Sequence, residues 1–160
     1  MIEAIGGVRE ISSGEHPLLE DFLYRAIYIP AGADPFPREI IFQPEILVYI
    51  AGFGDQPGDL GVIAEMDGKI TGAAWTRIIP AYGHIDDETP ELAMSVLPEY
   101  RGRGVGTALL IRLFELLRKH GYKRTSLSVQ KENPAARLYK RLGYEILREN
   151  EEDWIMIRLL

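Results

Sequence analysis

The sequence predicts an α/β domain with a mixed central sheet flanked by helices. Three observations carry this. From residue 60 the apolar residues recur with a period of two through 60–66 and 70–79, and Asp67-Gly68 between them is a strong two-residue hairpin signal. Further on, 104–120 and the run after Asn133 switch to a helical period, and Gly121 and Gly143 stand just past their ends. Strand-like segments at 90–97, 123–130, 144–147 and 154–159 alternate with those helices. A chain of 160 residues with no linker or repeat is one domain's worth, so a single domain is expected over 1–160.

The first half is read as a short strand at 8–11 followed by two helical segments. Over 15–28, Leu18, Leu19, Phe22, Leu23, Ala26 and Ile27 follow the i, i+3, i+4 rhythm, and Pro30 ends the run. Pro35-Phe36-Pro37 marks a turn, and a second segment over 38–51 is interrupted or kinked at Pro44. Tyr24, Tyr28, Phe36, Phe42, Tyr49 and Phe53 gather here, either as core packing with a loop lid or as the wall of an acceptor pocket. Residues 52–61 are the most loop-like stretch, too short to divide the chain. In the second half, 104–120 shows a polar stripe at Arg112, Glu115 and Lys119. Asn133 caps the last helix with Pro134 at its first position. Ala135, Leu138, Tyr139 and Leu142 form the apolar side of that helix, while Arg137, Lys140 and Arg141 face out.

Composition removes several function classes. A net charge of −6 and a pI near 5.1 disfavour nucleic acid as a partner. The absence of cysteine excludes disulfides, thiolate metal sites and a cysteine nucleophile from this chain. Three dispersed histidines, His16, His84 and His120, do not form a metal-ligand pattern, so no metal is expected. No apolar run approaches the roughly 18 residues of a membrane span, and residues 1–6 carry neither a basic region nor an apolar run. The expectation is a soluble cytoplasmic protein that engages no membrane.

The chemistry concentrates in Arg101-Gly102-Arg103-Gly104-Val105-Gly106-Thr107, between a strand and a long helix. Glycines let the backbone turn and approach a ligand, and the following helix presents free N–H groups and its positive end, a natural anion site. Arg101 and Arg103 add charge suited to phosphate. A P-loop would need a lysine after the glycines, and a dinucleotide fingerprint a different glycine spacing; both fail here. A tight strand–helix junction without ligand is the other reading of the loop alone.

Two motifs then resemble the GCN5-related N-acetyltransferase (GNAT) family. Arg101, Gly104 and Gly106 match its acetyl-CoA loop pattern Arg/Gln-x-x-Gly-x-Gly/Ala, and residues 93–100 look like the strand and bulge before it. Asn133, Ala136, Leu138, Tyr139, Gly143 and Tyr144 match the family's Asn-x-x-Ala-x-x-Leu-Tyr-x-x-x-Gly-Tyr/Phe. The resemblance is sharp from about residue 60 to 160, the cofactor-binding core, and weak over the acceptor-side helices of about 12–55.

The resemblance implies the acyl-CoA N-acyltransferase fold, with a splayed sheet, and direct transfer of acetyl from acetyl-CoA to a primary amine. It places the amides of Gly102, Arg103, Gly104, Val105, Gly106 and Thr107 around the CoA pyrophosphate. Met94, Ser95 and Val96 lie on the strand beside the pantetheine arm, which pairs with the backbone of Met94 and Val96. Asn133 would reach the pantetheine or cap its helix. Tyr139 is the implied acid for the leaving thiolate, with packing as its alternative. Glu91, within the acidic run 86–91, is the best-placed base and could act through a water, with a solvated loop as the alternative. Ser128 stands where some members carry a glutamate base, and Tyr82 and His84 are weaker candidates. Arg137, Lys140 and Arg141 are either a contact for the 3′-phosphate of CoA or a solvated face. A non-catalytic acyl-CoA-binding module is the alternative function, and a longer donor such as succinyl-CoA a third. The acceptor is a small-molecule or peptide amine; charge alone suits a cationic one. Homodimers are common in the family.

Overall fold

The computed structural model describes residues 7–160; the reading of residues 1–6 lies outside the described residues. The strands are β1 (Gly7–Glu10), β2 (Leu60–Met66), β3 (Lys69–Arg77), β4 (Glu91–Val96), β5 (Arg124–Gln130), β6 (Glu145–Glu149) and β7 (Asp153–Leu159). The helices are α1 (Leu19–Ala26), α2 (Pro44–Leu47), α3 (Val105–Lys119) and α4 (Ala135–Arg141). The seven strands form one sheet in the order β1-β2-β3-β4-β5-β7-β6, antiparallel except where β4 meets β5. The expected order of elements and the mixed sheet are both present. Among the described residues no helix is long and apolar enough to cross a membrane.

Strand alternation divides the core in two. Val62, Ala64, Met66 and Ala74 face α3 and pack on Val105, Leu109, Leu110 and Leu113. Their neighbours Ile63, Ala73 and Trp75 face the other way, onto Leu19, Phe22 and Leu23 of α1 and onto Ile41. Both faces being covered, β2 and β3 read as nearly continuous apolar runs. Each fully buried leucine stabilises the fold by about 1.5–3 kcal/mol. Gly72 admits α3 this close: a Cβ there would stand 2.9 Å from Leu109 Cδ1 and 3.2 Å from the Ser95 carbonyl.

The first half departs from the expected helices where proline dictates. The segment around 15–28 opens as a 3-10 turn, Ser13–Leu18, containing Pro17, and becomes α-helical only from Leu19. The second segment breaks into a 3-10 turn, Arg38–Phe42, and the short α2. Gln43 between them is extended at φ −66°, ψ 134°, because a residue before proline is pushed out of the α region.

A buried ion pair holds the segment after α2. Arg77 at the end of β3 is 5% exposed and grips Asp59 through Nε–Oδ1 (3.0 Å) and Nη2–Oδ2 (3.2 Å). Its Nη1 donates to the carbonyls of Val48 (3.0 Å) and Ala51 (2.6 Å), and Trp75 Nε1 donates to that of Tyr49 (3.0 Å). Asp59 Oδ2 in turn accepts the amides of Gly54 (3.0 Å) and Gln56 (3.1 Å). Breaking such a pair strands a buried carboxylate. Arg77→Ala should therefore lose about 3–5 kcal/mol in urea denaturation; an unchanged midpoint would show that the pair contributes no net stability.

Candidate active site

The site begins where the sheet comes apart. β4 and β5 share one paired position, Glu91 with Ser126, and no pairing beyond it. The Ser126 amide donates to the Pro90 carbonyl (3.0 Å), closing the apex of the split. The Leu97 amide donates to Thr71 on the β3 side (2.8 Å). Because strand peptide groups alternate in direction, the groups of Ala93 and Ser95 serve β3 while those of Met94 and Val96 point into the gap. A strand with peptide groups open along one edge can pair with an extended ligand. Of these groups, the Val96 carbonyl is already taken by Arg101 Nε at 3.1 Å.

Beyond the mouth of the gap lies the glycine loop. Gly102 and Gly104 have φ of 71° and 84°, left-handed values that cost an ordinary L-residue roughly 1–2 kcal/mol. Gly104 is the N-cap of α3, and no side chain caps that end. Among the described residues, none of the amides over 102–107 donates to an internal acceptor; the first helical bond runs from Ala108 to Gly104 (3.0 Å). Six unpaired amides at the positive end of a helix form an anion cradle. A Cβ on Gly106 would stand 2.9 Å from Leu138 of α4 and 3.6 Å from Met94 Cε, so this loop, α4 and the open strand converge. Arg141 Nη2 reaches Thr107 Oγ1 at 3.3 Å, at the edge of the cradle. The Arg103 guanidinium lies 5.2 Å from the Tyr100 ring centroid.

At the apex sits Glu91, 2% exposed. Its Oε2 accepts the Tyr49 hydroxyl and the Gly83 amide, the latter at 2.8 Å, while Oε1 is buried without a partner among the described residues. Burial pushes the Glu91 carboxyl up to about 7, against the opposing effects of the Tyr49 hydroxyl, the Gly83 amide and the charge of His84. Burial and the Glu91 charge in turn raise Tyr49 strongly. Gly83 is wedged against β5: a Cβ would lie 2.8 Å from Leu127 C and Ser128 N and 2.9 Å from Glu91 Cδ. Its carbonyl accepts the Ser126 hydroxyl at 2.7 Å.

Tyr139 approaches from the opposite face. It is 7% exposed on α4, its ring 5.7 Å from that of Tyr144, and burial raises its hydroxyl to about 12. Leu92, Met94 and Val96 belong to the same apolar cluster as Tyr139, whereas Ala93 and Leu97 lie on the side of Glu91. A carboxylate and a phenol thus flank one open seam from its two faces.

This arrangement has counterparts. The acetyltransferase (GNAT) family model matches residues 23–144, most of the chain. The chain belongs to the GNAT family. Among curated relatives, L-2,4-diaminobutyric acid acetyltransferase of Nocardia farcinica is 32% identical over 92 residues, covering 55% of this chain and 44% of that protein. The chain spans less than half the length of the curated relatives it matches. Two solved structures share the GNAT fold. The ribosomal-protein-S18-alanine N-acetyltransferase of Escherichia coli has a TM-score of 0.66 at 24% identity, over 96% of this chain and 92% of that one. The PaiA N-acetyltransferase of Thermoplasma acidophilum, in complex with coenzyme A, has 0.67 at 19%, over 96% and 98%.

Within this GNAT domain several of the other residues singled out in the sequence have partners of their own. Ser95 faces away from the gap, and its hydroxyl donates to the Phe22 carbonyl (2.7 Å), tethering α1 to β4. Asn133 is a cap: its Oδ1 accepts the Ala135 amide at 3.0 Å. Arg101 closes the loop onto Val96. The acidic run is not uniformly solvated, since Asp86 is bonded by Thr89 Oγ1 (2.8 Å), the Glu88 amide (2.9 Å) and Arg124. Ser128 Oγ bonds Asp153 at 3.0 Å. Lys140 lies 4.2 Å from the Trp154 ring centroid. The aromatic group splits: Phe53 is core, Phe42 is 59% exposed, and Tyr49 serves Glu91. In the sequence Tyr49 is only one of six aromatics, with no signal linking it to a glutamate at the start of a distant strand.

Glu91 makes a testable demand on stability. Its folded value of about 7 exceeds the ordinary 4.5, so between those pH values the folded state binds more protons than the unfolded, and stability falls as pH rises. In the limit this costs roughly 3 kcal/mol by pH 8. Glu91→Gln keeps the shape without the charge and should escape that loss. Denaturation at pH 4.5 and 8 is the check; parallel curves would mean that Glu91 ionises as it would in water.

Proposed function

We propose that this chain is an acetyl-CoA-dependent N-acetyltransferase that moves acetyl directly onto a primary amine. The observation that carries the reading is the seam itself: an open strand edge, an amide cradle at its mouth and a buried carboxylate at its apex. Residues 60–160 are the donor side and 12–55 the acceptor side of a single domain. Acetyl-CoA, when bound, supplies a thioester whose carbonyl the amine attacks. The relatives support this donor, since PaiA was solved with coenzyme A and a Salmonella typhimurium neighbour with acetyl-CoA.

The residues then take distinct tasks. The amides of Gly102, Arg103, Gly104, Val105, Gly106 and Thr107 hold the pyrophosphate, with Arg103 and Arg141 at its margin. The free peptide groups of Met94, and the Val96 amide, hold the pantetheine as an added strand. Glu91 Oε1 takes the proton that an arriving ammonium must lose, directly or through a water. A carboxyl near 7 serves this well, being ionised enough to accept and basic enough to attract. Tyr139 donates its proton to the leaving thiolate from the other face and regains one from the second N–H bond that breaks as the amide forms. Its raised value makes it a reluctant phenolate and a competent hydrogen-bond donor. The acceptor is a small-molecule or peptide amine, and the expected location is the cytoplasm.

Calorimetric titration with CoA and acetyl-CoA should give a Kd on the order of micromolar, lost in the Arg101→Ala, Gly104→Ala double variant. Tyr139→Phe should retain that binding and lose at least about tenfold in kcat with a reactive amine, by thiol release. Absence of binding by the wild type would reduce the cradle to a structural turn. Full activity in Tyr139→Phe would remove the acid from that side chain.

A further inference from the structure

Glu91 must dispose of the proton it takes, and its surroundings are nearly sealed. Oε2 is saturated by Tyr49 and Gly83, so only Oε1 can carry the proton. The residue after Gly83 is His84, whose charge acts on Glu91. His84 Nδ1 is the second buried polar atom here without a partner among the described residues. The other ring nitrogen faces outward, with Nε2 at 3.6 Å from Oδ1 of Asp87, a carboxylate whose side chain is 97% exposed. Asp87 also lines an open groove of about 830 Å3 shared with Glu88, Tyr122, Lys123 and Arg124. One imidazole thus has a buried, unpartnered nitrogen next to the loop amide that bonds Glu91, and a second nitrogen beside an exposed carboxylate.

We propose that His84 is the proton outlet of Glu91, relaying through one water between Glu91 Oε1 and His84 Nδ1 and releasing at Nε2 beside Asp87. The inference rests on the acetyltransferase reading for its turnover role, but the Glu91–His84 coupling is a property of the resting protein. The proton balance is simple. An N–H bond of the ammonium breaks and an Oε1–H bond forms. Oε1 passes its proton through the water to Nδ1, giving an imidazolium. The Nε2 proton leaves to Asp87 or bulk water, and the remaining Nδ1–H tautomer resets by exchange with solvent. One proton moves from substrate to solvent and nothing is oxidised or reduced. The other titratable groups facing the pair are Tyr49, from the segment after α2, and Tyr82 and Asp87, from the loop itself. The β5 side contributes the hydroxyl of Ser126, which is bonded to Gly83.

The test reads Glu91 in the resting protein. Carbon-13 carboxyl resonances of the full chain would be followed against pH in wild type and His84→Asn, with Glu91→Gln assigning the signal. Burial holds the Glu91 carboxyl at about 7 against the charge of His84, so loss of that charge should move the Glu91 midpoint upward by about half a pH unit or more. A Glu91 midpoint identical in wild type and His84→Asn overturns the proposal. The turnover arm uses His84→Ala with saturating acetyl-CoA. There kcat should fall roughly tenfold, with KM for acetyl-CoA unchanged and the rate restored by added imidazole. Undiminished turnover, or a loss that imidazole does not rescue, counts against the relay. A wild type inactive on every amine would count against the acetyltransferase reading alone, leaving the titration to decide the coupling.

Discussion

One backbone pair governs the molecule. Glu91 and Ser126 hold the two halves of the sheet together, and from that point β4 and β5 diverge. Peptide groups denied a neighbour cost about 1–3 kcal/mol each if buried unsatisfied, so a split sheet persists only when its edges face water or a ligand. The apex is correspondingly dense with bonds: Ser126 and Thr125 both reach the Pro90 carbonyl, and Ser126 Oγ holds Gly83. The mouth, by contrast, is lined with unpaired amides. The same constraint makes the fold and opens the site.

A buried glutamate at such an apex opposes stability, and the chain holds it with parts distant in sequence. Tyr49 reaches it only because Arg77, Asp59 and Trp75 fix the backbone of 48–59 against β3. Gly83 reaches it only because no side chain stands between that loop and β5. Both donors address Oε2, leaving Oε1 the oxygen with basicity to spare. The asymmetry leaves one buried carboxylate oxygen, among the described residues, without the bond that a buried polar atom ordinarily finds.

Much of this architecture is legible in the sequence. The hairpin at Asp67-Gly68, the glycine stops after α3 and α4, and the period switch at residue 60 are local signals, and each appears where local chemistry puts it. The anion cradle is equally legible, because glycines ahead of a helix are a backbone statement. The helices of the first half are less so: Pro17 and Pro44 break the α pattern into 3-10 turns. Strand parity removes Ser95 from the open edge, and parity is fixed by which neighbour β4 pairs with, a tertiary fact. The Tyr49–Glu91 contact spans 42 positions in sequence and has no periodicity to betray it.

The position of the acidic run changes how charge can guide an acceptor. The run over 86–91 suggests a negative surface drawing in cationic amines. In the folded chain Asp86 is spent on Arg124 and Thr89, and Glu91 is sealed from solvent, so Asp87 and Glu88 carry what remains. Exposed charges of this kind act over about a Debye length, roughly 8 Å at physiological salt, and steer encounter more than they select. Selection falls instead to groups that must desolvate against the acceptor. On the acetyltransferase reading, those beside Glu91 are the half-buried Tyr49 and its neighbour Tyr82. Tyr49 is pinned by the Arg77 network, whereas Tyr82 is 59% exposed. That division keeps the base fixed while the exposed ring beside it is free to differ with the amine it meets.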